Sequence, residues 1–178
     1  MIKVAINGFG RIGSLAFRAA IMSDDVEVVA ISAPNHPASH VAYCVKYDTV
    51  HGRFPGVVTA DDEASTITVN GKTVKVLSDK KYRDAALLPW GELGVEYVLE
   101  CTGAYLTKEK AQAHVDAGAQ VVVMSGPASD DTPCSFAAST STSTLLTCSS
   151  FPTLPAPPTA WLPWQRFCTR TSASSKAS

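Results

Sequence analysis

The 178-residue chain carries a formal charge of −1, with 46% hydrophobic and 17% charged residues. This composition allows one folded domain with an appendage and provides no basic excess for a nucleic-acid partner. Its five cysteines, at positions 44, 101, 134, 148 and 168, form neither close pairs nor a metal-ligand cluster, and an odd number leaves no complete disulfide framework. No apolar run approaches the roughly 20 residues of a membrane span, and the first residues lack the basic and apolar pattern of a secretory signal. The expectation is a reduced, cytoplasmic setting, no membrane partner and no metal.

In chain order, KVAING reads as a short buried strand. RIGSLAFRAAIMS reads as a helix with Ile12, Leu15, Ala16, Ala19 and Ala20 near its buried face. VEVVAIS is a second strand, which completes a parallel crossover. TITVNGKTVKVLS is a hairpin, because two β-rich runs flank Asn70-Gly71, a dipeptide suited to a tight primed turn. VEYVLECTG is a buried strand, TKEKAQAHVDAG a helix capped by Thr107 and ended by Gly118, and AQVVVMSGP another strand. Strands alternating with helices predict an α/β fold over residues 1–133, a Rossmann-type doubly wound sheet that is mostly parallel.

The pattern collapses after Asp131. Residues 132–178 contain no Asp or Glu and carry STSTST, PTLPAPP and TSASSKAS. Residues 134–178 therefore read as a Ser/Thr/Pro-rich tail without regular structure. The sheet before them is expected to be incomplete, with an unpaired edge and an uncovered apolar face.

GFGRIG, Gly8 to Gly13, has the G-x-G-x-x-G spacing, and each glycine has a physical task. Gly8 permits a tight turn, Gly10 lets a pyrophosphate approach the backbone, and Gly13 lets helix and strand pack closely. The helix that follows aims unpaired N–H groups and its positive dipole end at the phosphates. Three glycines alone also fit a turn without ligand, but a strand runs directly in and a helix directly out, as dinucleotide binding requires. About 20 residues on, where an acidic residue usually bonds the adenine ribose, the chain reads Ser32-Ala33-Pro34. No arginine stands nearby to attract a 2′-phosphate, so NAD is favoured and NADP stays open.

Four blocks together resemble the glyceraldehyde-3-phosphate dehydrogenase family: INGFGRIG at 6–13, KYDTVHGRF at 46–54, LPWGELGVEYVLECTG at 88–103 and SGPASDDTP at 125–133. The resemblance implies a cytosolic homotetramer that oxidises an aldehyde with NAD through an acyl thioester and passes the acyl group to phosphate. It places Asn7, Gly8, Phe9, Gly10, Arg11, Ile12 and Gly13 at the pyrophosphate and ribose, Arg83 near the adenine, and Thr102, Gly103 and Ser125 along the cofactor cleft. The chain departs from the family at Ala33, where an aspartate is usual, and in the longer SDKKYRDAA segment at 78–86.

Other reactive residue types read as ordinary. His51 and Arg53 fit a solvated loop, His36, His40 and His114 fit surface positions, and Cys101 ends an apolar strand as a buried structural thiol. The family's nucleophile motif, SNASCTTNC, is absent, so no residue of this chain is assigned a catalytic role. The genetic code offers a reason. With one base lost near Pro133, permitted codons for Phe151 to Arg166 read SNASCTTNCLAPMAK in the neighbouring frame, and Trp161 and Trp164, with a single codon each, constrain that match. The tail thus reads as a frameshifted product, and the chain as an inactive cofactor-binding fragment of the enzyme. The alternative is a non-catalytic nucleotide-binding or interaction module with a flexible tail.

Overall fold

The computed structural model describes residues 1–130; the tail at 134–178 and the boundary at 133 lie outside the described residues. The first compact unit spans Met1–Pro127. The first unit holds β1 (Ile2–Asn7), α1 (Arg11–Ile21), β2 (Val26–Ser32), α2 (Ala38–Lys46), β3 (Tyr47–Asp48), β4 (Gly52–Arg53), β5 (Val58–Asp61), β6 (Thr66–Val69), β7 (Lys72–Leu77), β8 (Tyr97–Glu100), α3 (Lys108–Asp116) and β9 (Val121–Met124). Two 3-10 turns, Lys80–Arg83 and Ala85–Leu87, follow β7.

Seven strands form one sheet in the order β5-β6-β7-β2-β1-β8-β9. β7, β2, β1, β8 and β9 run parallel, and β5 and β6 add an antiparallel edge. This is the Rossmann-type architecture expected, and its strands explain themselves. In β1, Ala5 packs into one buried cluster and Ile6 into another, because successive side chains leave opposite faces of a sheet covered on both sides. One cluster joins Ile6, Phe17, Ile31, Val41, Val45, Phe54, Ile67 and Val74. The other joins Ala5, Ala30, Leu77, Leu88, Trp90, Val95 and Val98. A register shift between Val4/Ala5 and their β2 partners puts Val28 and Ile31, three apart, in the same cluster.

The Asn70-Gly71 hairpin forms as the dipeptide dictates, with both residues at positive φ, 51° and 83°. Thr107 caps α3 by accepting the Lys110 N–H at 3.3 Å, and Gly118 ends it at φ 107°. Helix α2 has no counterpart among the elements expected from the sequence. It buries Ala38, Val41, Ala42 and Val45, a helical stripe that starts directly after Pro37.

Helix α1 exists as expected, but its face is rotated. Gly13, Ser14, Ala16, Phe17 and Ile21 are buried, whereas Ile12 is 39% exposed. The cause is Gly13, which must face β1, so the helix turns to suit that contact and not the summed hydrophobicity of Ile12, Leu15, Ala19 and Ala20.

β9 pairs with β8 and ends the sheet among the described residues, with Val121 and Val123 39% and 44% exposed. Among the described residues no helix is long and apolar enough to cross a membrane.

Gly71 meets no atom within 4 Å, so replacing it tests backbone strain without a clash. Gly71→Ala is expected to destabilise by about 1 kcal/mol, since a Cβ at positive φ is disfavoured; the shift of the denaturant midpoint at unchanged slope is the measurement.

Candidate cofactor site at the carboxyl edge of the sheet

β1 has β2 on one side and β8 on the other, so the chain's successive connections diverge from the carboxyl end of β1. A crevice opens where the strand order reverses, which is where ligands bind in open α/β sheets. The cleft here has a volume of about 310 Å³ and is lined by Asn7, Pro34, Asn35, His36, Tyr82, Arg83, Thr102, Ala104 and Tyr105.

The three glycines do three different things. Gly8 sits at φ 90°, and a Cβ there would lie 2.6 Å from Thr102 Cγ2 and 2.9 Å from the Thr102 nitrogen. A Cβ on Gly13 would lie 2.0 Å from the Gly8 carbonyl oxygen, so strand and helix meet backbone to backbone. Gly10 has φ −84° and open space around its missing side chain. Neither its conformation nor its packing demands glycine, which leaves room for an approaching group as the reason. Gly10 also caps α1 without a side-chain bond, and the first turn holds no acidic residue. The Ser14 N–H closes the first helical bond on the Gly10 carbonyl at 2.9 Å, and the amides of Arg11, Ile12 and Gly13 have no intrahelical acceptor. An anion fits this end.

The other expected site residues divide between the cleft and its supports. Asn7, Arg83 and Thr102 line the cleft. Gly103, at φ 75°, turns the chain after Thr102. The Phe9 ring goes instead into the core, edge-on to Phe17 at 5.8 Å. Arg11 reaches to within 3.9 Å of the Asp48 carboxylate, and Ile12 stands at the exposed side of the first turn. Ser125 is outside the cleft lining: its N–H donates to the Glu100 carbonyl at 2.9 Å, and its side chain bonds the Cys101 thiol.

At the end of β2, Ala33 is 2% exposed and packs into the core with Phe17 and Val41. The neighbouring Ser32 hydroxyl is buried with no hydrogen-bond partner among the described residues. The space at Gly10 and the free amides at the start of α1 fit a dinucleotide laid along the strand ends. The next residues turn sharply, with Asn35 at φ 68°, and carry His36 to the cleft wall.

A buried polar cluster lies behind the cleft and was not anticipated. Glu100 is fully buried, and its carboxylate accepts from Asn7 Nδ2 at 2.5 Å, the Thr102 N–H at 2.7 Å, the Thr102 hydroxyl and His114 Nε2 at 3.0 Å. Burial raises the carboxyl pKa, but the bonds from His114, Thr102 and Asn7 outweigh it, and the net direction is downward. His114, expected at the surface, is fully buried. It sits on the inward face of α3 with Ala111, stacks against Trp90 and accepts the Trp90 indole N–H on Nδ1 at 3.1 Å. Its burial is possible because both ring nitrogens are satisfied. An acidic residue inside the apolar run VEYVLE was the available signal. His36 and His40 are exposed, as expected, and stack at 4.6 Å.

The residues matched by a family model decide the kinship. The model for the NAD-binding domain of glyceraldehyde 3-phosphate dehydrogenase matches residues 2–108. The chain belongs to this family. Cytosolic glyceraldehyde-3-phosphate dehydrogenase of Leishmania mexicana is 52% identical over 133 residues, covering 75% of this chain and 38% of the relative. Glyceraldehyde-3-phosphate dehydrogenase A of Escherichia coli strain K12 is 50% identical over 132 residues, 74% of this chain and 38% of the relative. The Neurospora crassa enzyme is 45% identical over 130 residues, with 73% and 37% covered. The matched stretch thus spans well under half the length of these dehydrogenases. NAD is the cofactor of the matched domain.

The family block KYDTVHGRF is more ordered than a solvated loop. Tyr47-Asp48 and Gly52-Arg53 pair as β3 and β4, and Arg53 lies 5.8 Å from the Tyr47 ring. Asp48 Oδ1 accepts the N–H groups of His51 at 2.7 Å and Val50 at 2.9 Å and contacts His51 Nδ1 at 3.2 Å. The His51 and Val50 amides hold its carboxyl at a pKa of about 2. A carboxyl depressed in the folded state adds stability above its unfolded value, near pH 4, and that stability is lost as pH falls through the folded value. Thermal melts are expected to drop between about pH 4 and pH 2, and Asp48→Asn is expected to flatten that part of the profile; an unchanged profile would remove Asp48 from the account.

Proposed function

We propose that residues of this chain bind NAD in the crevice described above, and that the described portion supplies the cofactor site of a phosphorylating glyceraldehyde-3-phosphate dehydrogenase without its catalytic chemistry. The observation carrying the first part is Gly10, an open position at the uncapped start of α1 that neither backbone nor packing explains. In this reading Gly8, Phe9, Gly10, Arg11, Ile12 and Gly13 form the backbone cradle for the pyrophosphate. Asn7, Thr102 and Gly103 flank the dinucleotide, Arg83 serves the adenosine end, and Ser125 supports the β8–β9 edge. Arg83 makes no ion pair among the described residues, which leaves its guanidinium free for a ligand.

The second part rests on the thiols. Oxidation of an aldehyde through a thioester needs a cysteine whose thiolate forms near neutral pH beside a base. Among the described residues the free cysteines are Cys44 and Cys101. Burial pushes the Cys101 thiol up to about 11, with the Glu100 charge adding to it, and burial raises Cys44 as well. On this ground neither thiol is assigned the nucleophile's role. The homotetramer and the glycolytic reaction of the whole enzyme are part of the same proposal, as is the frameshift origin of residues 134–178.

Calorimetric titration of the full chain is expected to show NAD binding, and Gly10→Glu is expected to weaken it by more than about tenfold with little change in melting temperature, because a Cβ there meets no protein atom within 4 Å while the carboxylate it carries opposes a phosphate at the start of α1. Aldehyde-dependent NAD reduction is expected to be absent; turnover by the pure chain would refute the inactive-fragment reading. Independent sequencing of the coding DNA across codons 132–135 tests the tail: one additional base restores the SNASCTTNC frame, and the same bases again would dismiss the frameshift.

A further inference from the structure

The hydrogen bonds behind the cleft have a direction, and it is set far from the ligand. The Trp90 indole nitrogen can only donate. His114 Nδ1, 3.1 Å away, is therefore the unprotonated acceptor, and the imidazole proton lies on Nε2. That N–H points to Glu100 Oε2 at 3.0 Å. The ionised carboxylate only accepts, so Asn7 must turn its NH2 toward the same oxygen, 2.5 Å away, and its amide oxygen is left as an acceptor. The 3.4 Å approach of Asn7 Nδ2 and His114 Nε2 is then a contact of two donors that share one acceptor, not a bond between them. The other carboxylate oxygen takes the Thr102 N–H and hydroxyl, and Thr102 Oγ1 accepts from the Ala104 N–H at 3.1 Å.

We infer that Trp90, His114 and Glu100 are positioning residues: a buried donor relay that fixes the Asn7 amide and the Thr102 loop, so that Asn7 offers an acceptor to a hydroxyl of the bound dinucleotide. This rests on the reading that the cleft binds NAD. The relay explains why three costly groups are buried together. Trp90, Glu100 and His114 are all fully buried, and they link the segment before β8, the end of β8 and α3 to the two cleft residues Asn7 and Thr102. A core that needed only volume at these positions would be filled by apolar side chains at no desolvation cost.

The test compares variants of equal bulk and different hydrogen-bonding sense, in the full chain. His114→Gln can donate through its amide nitrogen to Glu100 and accept from the indole through its oxygen, so it is expected to bind NAD within about threefold of wild type. His114→Leu keeps bulk and breaks the relay; Glu100→Gln places a donor among donors. Each is expected to weaken NAD binding by about tenfold or more. Equal weakness of His114→Gln and His114→Leu would mean that the imidazole acts by packing, and undiminished binding by Glu100→Gln would overturn the relay. Nitrogen-15 spectra of the ligand-free wild type provide a readout that does not depend on variants folding. A proton on Nε2 and none on Nδ1 is expected, and the opposite tautomer sinks the inference. Failure of the wild type to bind NAD counts separately, against the proposed function, since the tautomer is read without ligand.

Discussion

The contact between Gly13 and the Gly8 carbonyl governs the arrangement of everything around it. With no room for a Cβ, α1 lies against the end of β1 at backbone distance, and this fixes both its rotation and the direction of its N-terminus. Phe17 and Ile21 are carried into the core, and the first-turn amides are carried to the mouth of the crevice. Core and site are thus consequences of one close approach. A larger residue at 13 would disturb both, and the hydrophobic pattern of the helix could not compensate because it does not determine which way the helix faces.

Around that contact the crevice is held by polar groups, not by packing alone. Glu100 takes donors from β1, from the loop after β8 and from α3, so elements distant in sequence share one carboxylate. A buried charge is tolerated only when its acceptor sites are filled, and here each donor comes from an element that borders the crevice or backs it. The dependence runs both ways: the charge needs the fold to be satisfied, and Asn7 and Thr102 need the charge to be held in place.

Features governed by local backbone chemistry are legible in the amino-acid sequence. Asn70-Gly71 tolerates two positive φ values in succession and therefore makes a hairpin wherever its flanks can pair. Thr107 and Gly118 bound α3 for reasons contained in a few residues. The glycine spacing at 8, 10 and 13 likewise names a turn between strand and helix, and the blocks matching the family name its ligand class. Positions that depend on what another element presents are not legible. His114 reads as a polar residue on a polar helix, and only the arrival of Trp90 on one side and Glu100 on the other makes its burial possible. Ala33 reads as the place of a missing carboxylate, whereas packing makes it a core residue and leaves the hydroxyl of Ser32 as the unpaired group.

The sequence by itself determined the order and kind of most elements, the hairpin, the phosphate-type turn and the family, because propensity, capping and glycine spacing act over a few residues. The tertiary structure decided the rotation of α1, the separate tasks of the three glycines, the burial of His114 with Glu100, and which of the expected residues face the crevice. Those outcomes follow from contacts between separate elements, as between Asn7 and Glu100, 93 positions apart. No local pattern carries the sense of such a contact, since it depends on where the partner's donor or acceptor arrives in space.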